Sequence, residues 1–320
     1  MTIAPALVSP LPYSPSCERL EDDEGETAKE LIATLTRIAE TVYKDEGHAY
    51  RSAHAKSHGL LTGMLEVLPD LPPVLAQGLF AQPRSYALVM RLSTSPGDLL
   101  DDRVSTPRGI AVKVLGVPGE RADSSEGDTT QDFLMVDGPV FSASSARKFL
   151  RSLKLLAVTT DKTPRLKHAL SATLRGLEAI IEKAGSQSVA IKALGGHPFT
   201  HILGETFYSQ APVRHGPYMA KLSIAPVSPE LLALNHAPLD THEQPNAIRD
   251  AVVAHFAQHG GQWELRVQLC VDIERMPIED ASVPWPEDLS PFVPVARLAV
   301  APQRAWSAAG CTPWCSPAPS

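Results

Sequence analysis

The chain has 320 residues, 43% hydrophobic and 20% charged, the make-up of a folded globular protein rather than a disordered one. Its net charge is −7, from 29 basic and 36 acidic residues, and the basic residues are scattered, which excludes the basic stripe that a nucleic-acid surface needs. No run approaches the about 18 consecutive apolar residues of a membrane-spanning helix. The N-terminus lacks the basic and apolar regions of a secretory signal, and four cysteines make no disulfide framework, so a cytoplasmic protein is expected.

Residues 1–20 carry Pro5, Pro10, Pro12 and Pro15 and read as an extended arm. From Thr27 to Tyr43 the apolar positions Leu31, Ile32, Leu35, Ile38, Ala39 and Val42 follow helical spacing, with acidic residues crowding the start, where the helix dipole favours them. The period then changes. Gly59–Leu68, Tyr86–Thr94, Ile110–Val117 and Gln131–Val136 are short runs rich in β-branched or aromatic residues, separated by turn signals. Strands without regular intervening helices predict an antiparallel sheet or barrel rather than βαβ units. Helical spacing returns over Ser145–Leu156 and Pro164–Lys183. Strands are expected again at Thr206–Tyr208, Tyr218–Ile224, Trp263–Ile273 and Val295–Val300, with one further helix at Ala247–Gln258. The class is α+β, with no internal repeat. An arm and helix over 1–46, a barrel domain over 47–303 and an irregular Pro/Cys-rich tail over 304–320 are expected.

Three polar segments meet these strands. Arg51-Ser52-Ala53-His54-Ala55-Lys56 lies between the first helix and the first strand. In Arg91-Leu92-Ser93-Thr94, alternation puts Arg91 and Ser93 on one strand face, which either is solvated or binds something anionic or polar. Pro107-Arg108-Gly109-Ile110-Ala111-Val112-Lys113 is a turn feeding a strand.

In this order, Arg-x-x-His-Ala-Lys at 51–56, Arg-x-Ser-Thr at 91–94 and Pro-Arg-Gly-x-Ala-Val-Lys at 107–113 resemble the haem catalase superfamily. Thr206-Phe207, the run from His215 to Lys221, and the stretch from Trp263 to Leu298 resemble its later core strands and the connection wrapped around them. The likeness runs from about residue 47 to about 303, nearest to the small, catalase-related bacterial branch. It implies an antiparallel barrel of about eight strands, haem b as cofactor and a small-molecule peroxide as substrate.

Carried over residue by residue, the resemblance makes His54 the distal histidine, a proton shuttle between peroxide oxygens, and Ser93 the hydroxyl that fixes its tautomer. Arg51 and Arg91 match the arginines that pair with haem propionates, where a planar guanidinium grips a carboxylate. Phe141 falls where an aromatic lies against the porphyrin face. His58 has no counterpart and is expected at the surface. The family's distal asparagine has no match in Asp128-Thr129-Thr130-Gln131, so Thr129 is the polar group expected in its place.

A second departure concerns the iron. The family's proximal tyrosine follows the last strand in an Arg-x-x-x-Tyr pattern. Here Tyr13, Tyr43, Tyr50, Tyr86, Tyr208 and Tyr218 all precede Val300. The tail with Cys311 and Cys315 resembles nothing in the family, so a chain ending before the proximal helix is expected. Three readings follow: a haem-dependent dismutase or peroxidase, a relative that converts organic hydroperoxides, and a truncated relative that holds little or no haem. Exchange of the N-terminal arm would allow a homodimer.

Overall fold

The structure is a computed structural model that describes residues 9–97, 99–104, 106–122, 125–159 and 198–306. Helix α1 (Glu24–Glu46) opens with Glu24 and Glu26 in its first turn and stops at Gly47, whose φ of 66° is a left-handed cap carrying its N–H to the Tyr43 carbonyl. Thr34, Ile38 and Val42 form its buried stripe, and Ile38 and Val42 pack with Leu153 of α2 (Ala146–Thr159). The helix predicted over Pro164–Lys183 lies outside the described residues.

The strands are β1 (Ser57–Val67), β2 (Ser85–Thr94), β3 (Arg108–Leu115), β4 (Thr130–Val136), β5 (Phe207–Ser209), β6 (Val213–His215), β7 (Tyr218–Pro226), β8 (Gly261–Leu269) and β9 (Val293–Val300). All pair antiparallel, in the order β5-β4-β3-β2-β1-β9-β8-β7-β6. A further pairing of β5 with β7, Phe207 opposite Ile224, closes the sheet into an eight-stranded barrel with β6 hung on β7 as a hairpin. Closure leaves the eight barrel strands without a free edge. The expected class and barrel are therefore the observed ones. The expected strand Trp263–Ile273 stops at Leu269, and residues 271–292 wrap over the outside of β7 and β8.

Alternation explains why these segments are strands. Leu88, Met90 and Leu92 of β2, Ile110, Val112 and Val114 of β3, and Trp263, Leu265 and Val267 of β8 all point into one core. Each such burial is worth roughly 1.5–3 kcal/mol. The short helix α3 (Pro229–Leu232) and the longer α4 (Ala247–Phe256) cover the barrel with Leu231, Ile248, Val252 and Phe256. The inward parity of β2 sends Arg91 and Ser93 to the outer face, so the polar segments meet on the outside of β2–β4.

Candidate functional site

The chain leaves Gly47 and crosses the outer face of β2–β3 before entering β1. Two backbone bonds pin this crossing: the His54 N–H donates to Ser95 O at 2.8 Å and the Ala55 N–H to Pro96 O at 3.0 Å. Gly97 makes the approach possible, because a Cβ there would lie 2.4 Å from Ser52 O. His54 itself sits at φ 52°, a left-handed conformation that ordinary side chains avoid. Arg91 brackets it from β2, its Nη2 donating to His54 O at 2.7 Å and Ala55 O at 3.2 Å.

The result is a defined ring position. His54 Nδ1 and Ser93 Oγ are 3.0 Å apart, and Ser93 is 3% exposed. The ring lies on Gly109, where a Cβ would come within 2.5 Å of its Cε1. Only glycine gives the imidazole this shelf. Ser93 and Gly109 are partners across β2 and β3, so hydroxyl and shelf come from neighbouring strands in one register. Burial depresses the His54 pKa to about 4, helped by the Arg91 charge, opposed by Asp137 and helped again by Arg51. The ring is therefore neutral at pH 7. Burial and the charge of Arg51 together lower Arg91 to about 10.

His54, Ser93, Arg91 and Arg51 thus come together. Phe141 lies past the end of β4, its ring 4.9 Å from that of Phe149 on α2. Thr129 is not brought to the cluster. It is exposed and bonds through its carbonyl to the Val117 N–H at 2.8 Å, at the end of β4 away from Gly109 and Val136. Seven residues of extended strand separate the two ends by roughly 20 Å.

His58 is not at the surface. It is fully buried, with Nε2 3.3 Å from Thr94 Oγ1. The register of β1 against β2 slips between Ser57 and Gly59, so His58 is the extra residue of a bulge and turns inward beside Thr94. Burial first, then the charges of Lys56, Arg249, Arg108 and Arg91, hold its pKa well below the ordinary histidine value.

Two groups had no role assigned from sequence. Lys56 Nζ donates to Asp102 Oδ1 (2.6 Å), Leu100 O (2.7 Å) and Pro245 O (2.6 Å), and Asp102 Oδ2 accepts the Ile248 N–H at the start of α4 (2.8 Å). Three acceptors around one amine require the ammonium form, so the pair is ionised although burial alone pushes Lys56 down and Asp102 up. Asp137, just past β4, has a carboxylate that accepts the Arg108 N–H at 3.0 Å.

The fold and this outer cluster define a class: closed antiparallel barrels carrying a half-buried histidine–hydroxyl pair and two arginines on their outer face. No protein-family profile matches the chain, and no curated protein matches it in sequence. Solved structures do. A fungal catalase superposes with a TM-score of 0.54 at 16% identity over 94% of this chain, catalase A from Saccharomyces cerevisiae with 0.54 at 15% over 95%, and a bacterial catalase with 0.53 at 14% over 94%. The chain has a catalase-like fold. It spans 57%, 59% and 55% of those three chains.

The charges of this cluster can be weighed for the kind of ligand they would accept. Among the described residues neither Arg51 nor Arg91 meets a carboxylate, and the protein partners of Arg91 are two carbonyls. An exposed Arg51 and a half-buried Arg91 whose charges act on each other would suit a ligand with two carboxylates. The described residues hold no cluster of metal-ligating side chains and no helix long and apolar enough to cross a membrane.

Proposed function

We propose that this is a haem-binding, catalase-like protein that consumes peroxide, by dismutation or peroxidase-type reduction, with His54 as its distal acid–base group. The observation that carries the reading is the His54–Ser93 pair, seated on Gly109 beside two arginines that meet no carboxylate among the described residues. Arg51 and Arg91 would hold the propionates, and Phe141 would lie against the macrocycle. When bound, haem supplies an iron at which the O–O bond of a peroxide is cleaved.

The chain's own contribution is proton handling. With Nδ1–H donating to Ser93 Oγ, the His54 lone pair sits on Nε2, which no described residue engages. A neutral ring at pH 7 takes the proton from the inner oxygen of a peroxide and returns it to the outer one, so departing hydroxide leaves as water. The fixed tautomer and the shelf keep Nε2 aimed the same way through both transfers.

Hemin titration of the purified chain tests the reading, with His54→Ala and Arg51→Gln/Arg91→Gln alongside. A saturable, shifted Soret band is expected in the wild type, weakened by the double arginine change. Peroxide consumption should fall by about 100-fold or more in His54→Ala, the loss typical of a removed acid–base group. Turnover of an alkyl hydroperoxide in preference to hydrogen peroxide would assign the organic-hydroperoxide branch. An unchanged free-hemin spectrum would overturn the proposal in favour of a barrel that no longer holds haem.

A further inference from the structure

Asp137 is the first residue past β4, and it grips a single residue of β3 twice. Its N–H donates to Arg108 O at 3.1 Å, and its Oδ1 accepts the Arg108 N–H at 3.0 Å. The next residue, Gly109, pairs with Val136 on one side and Ser93 on the other. Gly109 is the shelf under the His54 ring: a Cβ on it would stand 2.5 Å from Cε1 and 2.7 Å from Nδ1. The Asp137 side chain is 2% exposed. Among the described residues the charges felt at His54 are those of Arg91 and Arg51, which are cationic, and of Asp137, the one acid, whose carboxylate is itself ion-paired with the buried Arg108, Oδ2 to Nη1 at 3.9 Å.

We propose that Asp137 is a positioning residue for His54: it locks the Arg108–Gly109 segment on which the imidazole rests and holds a negative charge against it. The functional meaning rests on the peroxide reading above, but the geometry does not. The polar group sought at Thr129, at the far end of β4, is supplied at the near end by a carboxylate. A carboxylate there does what a neutral amide would not, because it compensates the Arg108 cation beside the shelf and makes protonation of the ring less unfavourable. It acts on peroxide only through His54.

The test is the protonation of His54 in the full, ligand-free chain. It is followed by the ring's NMR signals from pH 7 down to the onset of acid unfolding, in the wild type, Asp137→Asn, Arg51→Gln and the double variant. Asp137→Asn should move the midpoint down and Arg51→Gln should move it up, each by about half a unit or more. In the Arg51→Gln background the midpoint starts higher, so the fall caused by Asp137→Asn is read inside the folded range. A role in packing alone would not give opposite signs for the two changes. A folded Asp137→Asn chain with an unchanged or raised midpoint overturns the proposal. If that variant does not fold, Asp137→Glu keeps the charge. A Glu variant with a wild-type midpoint supports the proposal, and one whose midpoint falls overturns it. Failure of hemin uptake leaves this titration untouched, so the two readings fail separately.

Discussion

Two flanks of the barrel handle buried polarity in opposite ways. Over β7 and β8, the wrapping segment is stapled by partnered groups. Lys221 Nζ donates to Val283 O at 3.2 Å and lies 5.3 Å from the Trp285 ring centre, and Trp285 Nε1 donates to Pro277 O at 3.1 Å. Gln268 Nε2 donates to Trp285 O and Ser290 O. Across the barrel, over β2–β4, His54 sits in a left-handed conformation, and among the described residues Arg51 and Arg91 meet no carboxylate. The wrapping segment's side chains on one flank are partnered, and the other flank holds a strained histidine beside cations. Strain and uncompensated charge persist only where surrounding structure enforces them, and that is where a functional site is expected.

The Lys56–Asp102 pair is the exception on the strained flank, and breaking it should have the largest effect. Lys56→Ala strands a buried carboxylate and unpins α4, and should cost about 3–5 kcal/mol in urea unfolding. On the other flank, Lys221→Met strands only one carbonyl and should cost about 1–3 kcal/mol. Equal costs would erase the contrast drawn for these two buried lysines.

What the sequence carried of this follows from how local each feature is. The barrel strands were legible because their apolar alternation is written residue by residue, as in Leu88-Val89-Met90-Arg91-Leu92. His54, Ser93 and Arg91 were legible through ordered motifs. His58 was not, because a bulge breaks the parity that alternation relies on. Asp102 carries no local signal, since its partners Lys56 and Ile248 are 46 and 146 residues away. Position along the chain points to Thr129, whereas the register of β3 and β4 decides which end of β4 meets the histidine.

Acid sharpens the comparison next. Burial depresses the pKa values of His54 and His201 to about 4, and lowers those of His58 and His215. The unfolded chain titrates these rings near pH 6.5, so between about 6.5 and 4 it binds more protons than the folded one. Stability is full above that window and is lost as pH falls through it. Each ring contributes a slope of up to about 1.4 kcal/mol per pH unit. Urea midpoints should be flat from pH 8 to 7 and drop steeply below 6, with His54→Gln flattening part of the drop. A chain equally stable at pH 4.5 and 7 would show these rings to be protonated in the fold.

The smallest effect tests the strain itself. At ordinary backbone angles alanine is the more stabilising replacement, because glycine loses more chain entropy on folding. At the φ of 52° held by His54 the order should reverse: a Cβ is disfavoured there and glycine is not. Both replacements lose the Ser93 hydrogen bond and empty the shelf on Gly109, so those losses cancel in the comparison. His54→Gly should therefore exceed His54→Ala in stability by about 1 kcal/mol, read as a difference in urea midpoint at constant slope. If alanine is the more stable, the crossing segment relaxes once the ring is gone, and the left-handed turn belongs to the histidine's contacts. If glycine is, the turn is imposed by Arg91 and by the bonds to Ser95 and Pro96, and the barrel holds a histidine where its backbone resists one.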